Sequence, residues 1–218
     1  MHPAAEGKRL RGLYLVTPDW IDTSRLEAAV AAALVGRPAL IQYRNKLADP
    51  ATRRHQAVRL LALCRAAGVP LVVNDSLELA LEVGADGLHI GREDGDPAPI
   101  RAALGPDRLL GVSCYDELSR GKAGWAAGAD YVAFGALFPS TTKPAATRAP
   151  LGLLGQARAE LPCSLAGIGG ITLDNAPRAV AAGADLLAVI SDVFSAPDPA
   201  ARAAAYRALF EPDGGPSA

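Results

Sequence analysis

Two aspartates are the first residues in this chain that suggest chemistry. Asp75 closes the apolar run PLVVND (70–75), and Asp94 lies in Arg92-Glu93-Asp94, just after GLHI (87–90). Two carboxylates after adjacent runs, with no His or Cys beside them, suit a hard dication such as Mg2+. That ion commonly takes one or two protein carboxylates, several waters and substrate phosphate oxygens. The structural alternatives are a helix N-cap for Asp75, ahead of Leu77-Glu78-Leu79, and a solvated loop for Asp94. Cations stand in comparable places: Arg44 and Lys46 in Gln42-Tyr43-Arg44-Asn45-Lys46, and Lys143 after Ser140-Thr141-Thr142. Together with a metal they would hold an anion of several charges, such as a diphosphate. Gly169-Gly170, followed by Thr172 read as a helix cap, and Ile190-Ser191 form the pattern of a phosphate site. Glycines let a phosphate approach the backbone, and helix N–H groups point at it. The alternative there is a tight turn that needs glycine for its dihedrals.

Each cluster follows a short apolar run that reads as a buried strand. The runs are LYLVTP (13–18), ALIQYRNK (39–46), PLVVND (70–75), GLHI (87–90), LLGVSC (109–114), YVAFG (131–135), CSLAGIGG (163–170) and LLAVISD (186–192). Between them lie segments with helical spacing, such as 24–35, 51–67, 173–183 and 199–210. Strands alternating with helices mean βα units and a parallel sheet, and continuous apolar runs mean both faces are buried. Eight such units predict a single-domain (β/α)8 TIM barrel, whose chemistry sits at the C-terminal ends of the strands. The competing architecture is an open doubly wound sheet, but the GxGxxG turn after strand one is absent. An internal echo, Gly84-Ala85-Asp86, Gly128-Ala129-Asp130 and Gly183-Ala184-Asp185, reads as a glycine helix end followed by entry into a strand.

The composition fits this reading. The chain has 218 residues, 50% of them hydrophobic, with 22 Lys plus Arg against 23 Asp plus Glu. A net charge of −1 argues against a nucleic-acid or anionic-membrane coat, and no apolar run approaches a membrane span. The scattered Cys64, Cys114 and Cys163 read as reduced, buried thiols, which places the protein in the cytoplasm. The basic start carries no apolar stretch behind it, so it is not read as a signal peptide. Residues 1–12 are expected to be an N-terminal extension, 13–210 the catalytic barrel and 211–218 a flexible tail. The 136–149 segment is long for a βα loop and is a candidate lid. His89 reads as a satisfied core or rim histidine, His55 as surface, and Trp20 and Trp125 as packing residues. No Ser-His-Asp or Cys-His pattern and no zinc spacing is present.

With the motifs taken in order, the chain resembles the thiamine phosphate synthase family, also called thiamine-phosphate pyrophosphorylases. The matching strings are LYLVTPD, QYRNK, VVNDSLELALEVGADGLHIGREDGD, GVSCYDE, GADYVAFGALFPSTTK and AGIGGITLDNAPRAVAAGADLLAVISDVFSAPDP, across roughly residues 13–200. The resemblance implies an enzyme that joins hydroxymethylpyrimidine diphosphate to a thiazole phosphate and releases pyrophosphate with the help of Mg2+. It implies that Asp75 and Asp94 hold the metal. Gln42, Arg44, Lys46, Asn74, Ser113 and Lys143 contact the pyrimidine diphosphate, with Arg44, Ser113 and Lys143 closest to the chemistry. Ser140, Thr141, Thr142, Gly170, Ile190 and Ser191 hold the thiazole phosphate.

Two departures stand out. Many family members have Thr-Pro-Thr-Lys at Ser140-Thr141-Thr142-Lys143, and many have Thr-His where this chain has Cys114-Tyr115. A sister family, the thiazole tautomerases, uses a His in that second region. Its absence, with both carboxylates and Lys143 present, favours the synthase. A barrel that senses thiamine phosphate without turnover, and a general phosphosugar barrel enzyme, are the other readings. The expected partners are the two small-molecule substrates and a second copy in a homodimer.

Overall fold

The computed structural model describes residues 9–139 and 147–211. Eight strands close into a barrel in sequence order, and β1 pairs in parallel with both β2 and β8. The strands are β1 Gly12–Val16, β2 Leu40–Tyr43, β3 Leu71–Asn74, β4 Gly87–Ile90, β5 Leu109–Tyr115, β6 Tyr131–Phe134, β7 Ser164–Ile168 and β8 Leu186–Val189. The helices are α1 Thr23–Leu34, α2 Pro50–Ala67, α3 Leu77–Val83, α4 Pro97–Leu104, α5 Leu118–Ala126, α6 Gly152–Glu160, α7 Ala176–Ala181, α8 Ser191–Phe194 and α9 Pro199–Ala208. Closure between β1 and β8 confirms the TIM barrel and removes the open-sheet alternative.

The continuous apolar runs have a simple cause. Successive side chains on a strand point to opposite faces. Leu13, Leu15, Ile41, Val73, Leu88 and Leu110 join the core between barrel and helices, while Tyr14, Val16, Leu40, Val72, Tyr131 and Leu186 fill the barrel interior. Both faces are dry, so both must be apolar. Each large side chain removed from water in this way contributes about 1.5–3 kcal/mol.

Helix boundaries follow from local chemistry. Asp22, Asp49, Ser76, Asp96 and Asp198 each accept a main-chain N–H from the first turn of the helix they precede. α2 and α3 end on Gly68 and Gly84, whose φ values of 67° and 69° are the left-handed cap that glycine adopts without penalty.

The Gly-Ala-Asp echo does more than end helices. Asp86, Asp130 and Asp185 each accept the N–H of the first or second residue of the strand before: Leu71, Leu110 and Leu165, at 2.8, 2.7 and 2.9 Å. Each also has an arginine beside it: Arg65, Arg101 and Arg158 respectively. Three equivalent clamps therefore close the N-terminal end of the barrel, opposite the end where the chemistry-bearing clusters stand.

Candidate active site

Toward their C-terminal ends the inward positions of β2 to β5 become polar. Gln42 Nε2 donates to Asn74 Oδ1 at 3.2 Å. His89 Nε2 lies 2.8 Å from Ser113 Oγ, and His89 Nδ1 lies 3.1 Å from the Tyr131 hydroxyl, itself 3.0 Å from the Tyr14 hydroxyl. The His89 and Tyr131 rings stack with centroids 5.6 Å apart. Gly111 makes the room: a Cβ there would overlap the Tyr131 ring and lie 2.6 Å from His89 Nδ1. Burial holds the His89 imidazole neutral and lowers its pKa to about 4, against a smaller opposing pull from Asp94. His89 is thus the satisfied histidine expected from its apolar neighbours, and in addition it supports Ser113.

The carboxylates stand at the rim. Asp75 leaves β3 in the left-handed backbone region, φ 65°, and its N–H donates to His89 O at 2.9 Å. Ser76, not Asp75, caps α3 by accepting from Leu79 N–H at 3.2 Å, so the N-cap alternative for Asp75 falls. Lys46 Nζ lies 3.4 Å from Asp75 Oδ2. Asp94 is half-buried, and its Oδ2 accepts from Gly91 N–H at 2.6 Å. Asp75 lies near enough to Asp94 to act on its charge. Burial first, and then Asp75, raises the Asp94 pKa against the opposing Gly91 N–H and Lys46. Among the described residues no third His, Cys, Asp or Glu joins them.

The loop after β2 is held by residues that the motif reading left without a role. Thr17 Oγ1 accepts from Arg44 N–H and donates to Arg44 O, both at 2.8 Å. Asp19 accepts from Arg44 Nη1 at 2.6 Å and from Lys46 N–H at 2.7 Å. Asn45 Nδ2 and the Tyr43 hydroxyl donate to Gln56 Oε1 at 3.0 and 2.9 Å. Arg120, on α5, donates to the carbonyls of Ser113 and Gly91 at 2.7 and 2.8 Å and so ties the ends of β5 and β4 together. Thr17 and Asp19 lie inside LYLVTPD, which is the one sequence signal that pointed to them; Gln56 and Arg120 had none.

At the other flank Gly170 has φ 63°, and a Cβ there would overlap the carbonyl oxygen of Pro139 and lie 2.6 Å from that of Phe138. Thr172 is not the helix cap expected from the sequence. Its carbonyl and N–H are taken up in a turn with Asn175, which precedes α7 and whose Nδ2 donates to Gly170 O at 2.9 Å. Ile190 packs onto the interior barrel cluster, and Ser191 opens α8. Leu173 N–H donates to Asp192 Oδ2 at 3.2 Å, which joins the turns after β7 and β8. Ser140, Thr141, Thr142 and Lys143, with the centre of the 136–149 loop, lie outside the described residues. The three cysteines are buried, as expected; burial pushes the Cys64 and Cys114 thiols up to about 12 and Cys163 up to about 11. None is a nucleophile at neutral pH.

A closed barrel with its polar clusters at the strand C-terminal ends belongs to the class of (β/α)8 enzymes that act on small molecules. Residues 13–193 match the family described as thiamine monophosphate synthase. The chain is 66% identical to the thiamine-phosphate synthase of Aromatoleum aromaticum, covering 93% of this chain and 98% of that protein. It is 64% identical to that of an Azoarcus species, over 94% of this chain and 99% of that one. The solved structure of a thiamine phosphate pyrophosphorylase from Pyrococcus furiosus superposes with a TM-score of 0.82 at 29% identity, covering 92% of this chain and 96% of that one. The chain belongs to the thiamine monophosphate synthase family. No helix among the described residues is long and apolar enough to cross a membrane.

Proposed function

We propose that the protein is a transferase that condenses hydroxymethylpyrimidine diphosphate with a thiazole phosphate, giving thiamine phosphate and pyrophosphate. The observation that carries this reading is the meeting of Asp75 with both Asp94 and Lys46 at the barrel mouth, in a chain 66% identical to a thiamine-phosphate synthase. Two neighbouring half-buried carboxylates repel one another unless a proton or a cation lies between them. The pair fits Mg2+, whose remaining positions would fall to water and diphosphate oxygens. Bound there, the ion would neutralise charge on the departing pyrophosphate.

Arg44 and Lys46 take up the remaining charge on the diphosphate, joined by Lys143. Gln42 and Asn74 offer hydrogen bonds to the aminopyrimidine, and Ser113, oriented by His89, reaches the same substrate. The carbon–oxygen bond to the diphosphate breaks to leave a resonance-stabilised pyrimidine methyl cation, to which the thiazole ring nitrogen adds. That nitrogen is uncharged and needs no strong base, in keeping with a His89 that stays neutral. Gly170, Ile190 and Ser191, with Ser140, Thr141 and Thr142, hold the thiazole phosphate. Exclusion of water is the role assigned to the 136–149 segment. Cys114 turns into the outer core, its thiol directed at Val112 O, which disfavours an isomerase acting from that position. A homodimer, a cytoplasmic location and a single catalytic domain over 13–210 complete the proposal.

The test is pyrophosphate release with both substrates, with and without Mg2+, beside Asp75→Ala and Lys143→Ala. Release that needs both the metal and the thiazole phosphate, and is largely lost in both variants, is the expected result. No release from folded wild-type protein overturns the reading.

A further inference from the structure

A niche of about 240 Å3 opens at the rim between the loops after β2 and β3. Lys46, Asn74 and Asp75 line its barrel side, and Arg53, in the first turns of α2, lines its helix side. Arg53 is half-buried and its Nε is fully enclosed, yet among the described residues that Nε has no hydrogen-bond partner. No ion pair joins its guanidinium to a described carboxylate either, whereas Arg44, Arg54, Arg59 and Arg65 nearby in sequence all have one. A buried N–H without an acceptor is costly and uncommon, and an arginine fork is shaped to receive two oxygens of one phosphoryl group.

We infer that Arg53 is a further substrate-binding residue of this site and takes the terminal phosphoryl group of the diphosphate substrate. The inference rests on the proposed synthase reading. Three features support it. The niche is continuous with Lys46 and Asp75, so an anion held at that pair can reach Arg53 without leaving the cavity. Its charged lining is two cations against one carboxylate, a balance that favours an incoming anion. The volume is several times the ~30 Å3 of a water molecule, which is room for a phosphoryl group. The site also predicts which substrate is affected. The niche lies between β2 and β3, whereas the glycine turn follows β7, beyond β8 and β1 around the barrel. Arg53 therefore acts on the diphosphate and not on the monophosphate of the second substrate.

The experiment compares wild type with Arg53→Gln and Arg53→Lys. Calorimetric titration with inorganic pyrophosphate in the presence of Mg2+ is paired with steady-state kinetics in which each substrate is varied in turn. Arg53→Gln should bind pyrophosphate about ten- to hundredfold more weakly and show a similar rise in KM for the pyrimidine diphosphate. Its KM for the thiazole phosphate should not change. Arg53→Lys, which keeps the charge without the fork, should fall between the two. Pyrophosphate affinity equal to wild type in either folded variant overturns the inference. So does an equal rise in both KM values, the mark of a merely structural role. A wild-type protein that binds pyrophosphate but releases none from the substrates overturns the synthase reading itself, a result separable from either of these.

Discussion

Lowering the pH should weaken this barrel from the inside, through His89. The imidazole is enclosed among Tyr14, Tyr131 and Ser113, and no carboxylate among the described residues accepts a hydrogen bond from it. Burial lowers its pKa to about 4, while an unfolded histidine titrates near 6.5. Between those values the unfolded chain binds a proton that the native one does not. Stability from this group is therefore complete above about pH 6.5 and is lost as the pH falls toward about 4. The gap corresponds to about 3 kcal/mol, a substantial part of a typical 5–15 kcal/mol total. The assay is urea unfolding at several pH values between about 7.5 and 4.5, for wild type and His89→Gln. Gln keeps a donor and an acceptor but does not titrate, so carboxylates common to both proteins cancel in the comparison. Wild type should lose about 2.5 kcal/mol more than the variant across that range, most of the full gap. Parallel curves, or an NMR titration in which the His89 ring protonates near 6.5, would refute the reasoning. A neutral His89 also means that an activity pKa near 6 to 7 belongs to some other group.

Two further predictions concern the frame of the barrel. Gly111→Ala places a methyl group into the Tyr131 ring and against His89, and overpacking of this kind costs about 1–3 kcal/mol. It should lower the Tm and, by displacing His89 from Ser113, reduce kcat; a variant with wild-type Tm and kcat would show that the interior has slack. Asp130→Asn removes the charge from a clamp that holds both Leu110 N–H and Arg101 but keeps an acceptor oxygen on an exposed side chain, a loss of about 0.5–1.5 kcal/mol. Its Tm should fall by roughly 1–6 °C while KM for both substrates stays as it was, because the clamp lies at the far end of the barrel.

How much of this was legible in the sequence depended on how local each signal is. Strands were legible because both faces of β1 to β8 are largely buried, so their residues are mostly apolar, with polar side chains gathered toward the C-terminal ends of β2 to β5. The helix ends were legible where glycine must adopt a left-handed cap, as at Gly84. Strand order then fixed where polar clusters such as Gln42, Asn74, Asp75 and Ser113 must stand. Illegible were contacts whose two partners lie far apart in the chain. Asp19 holds Arg44 and Lys46 across 25 and 27 residues, and Arg120 bonds carbonyls, which carry no residue identity. Thr172 misled for the opposite reason. Threonine before a helix is a common cap, but Asn175 sits closer to the helix start and its side chain takes the Thr172 N–H instead.

The aspartates, sorted by what their oxygens already accept, support the proposal that Asp75 and Asp94 serve the reaction and not the fold. Asp22, Asp49, Asp96 and Asp198 cap helices. Asp86, Asp130 and Asp185 clamp the bottom of the barrel, Asp19 holds the β2 loop, and Asp192 takes Tyr206, Arg202 and Leu173. Asp107, Asp116 and Asp174 are exposed. Asp75 and Asp94 alone among the described aspartates are half-buried neighbours that carry little structural duty: among the described side chains Asp75 pairs with Lys46, and Asp94 accepts the Gly91 N–H. A fold that needed those carboxylates for its own stability would have saturated them, as it does at every other half-buried aspartate. Leaving two adjacent sets of lone pairs open at the mouth of the barrel costs repulsion, and a bound cation is the simplest thing that removes it.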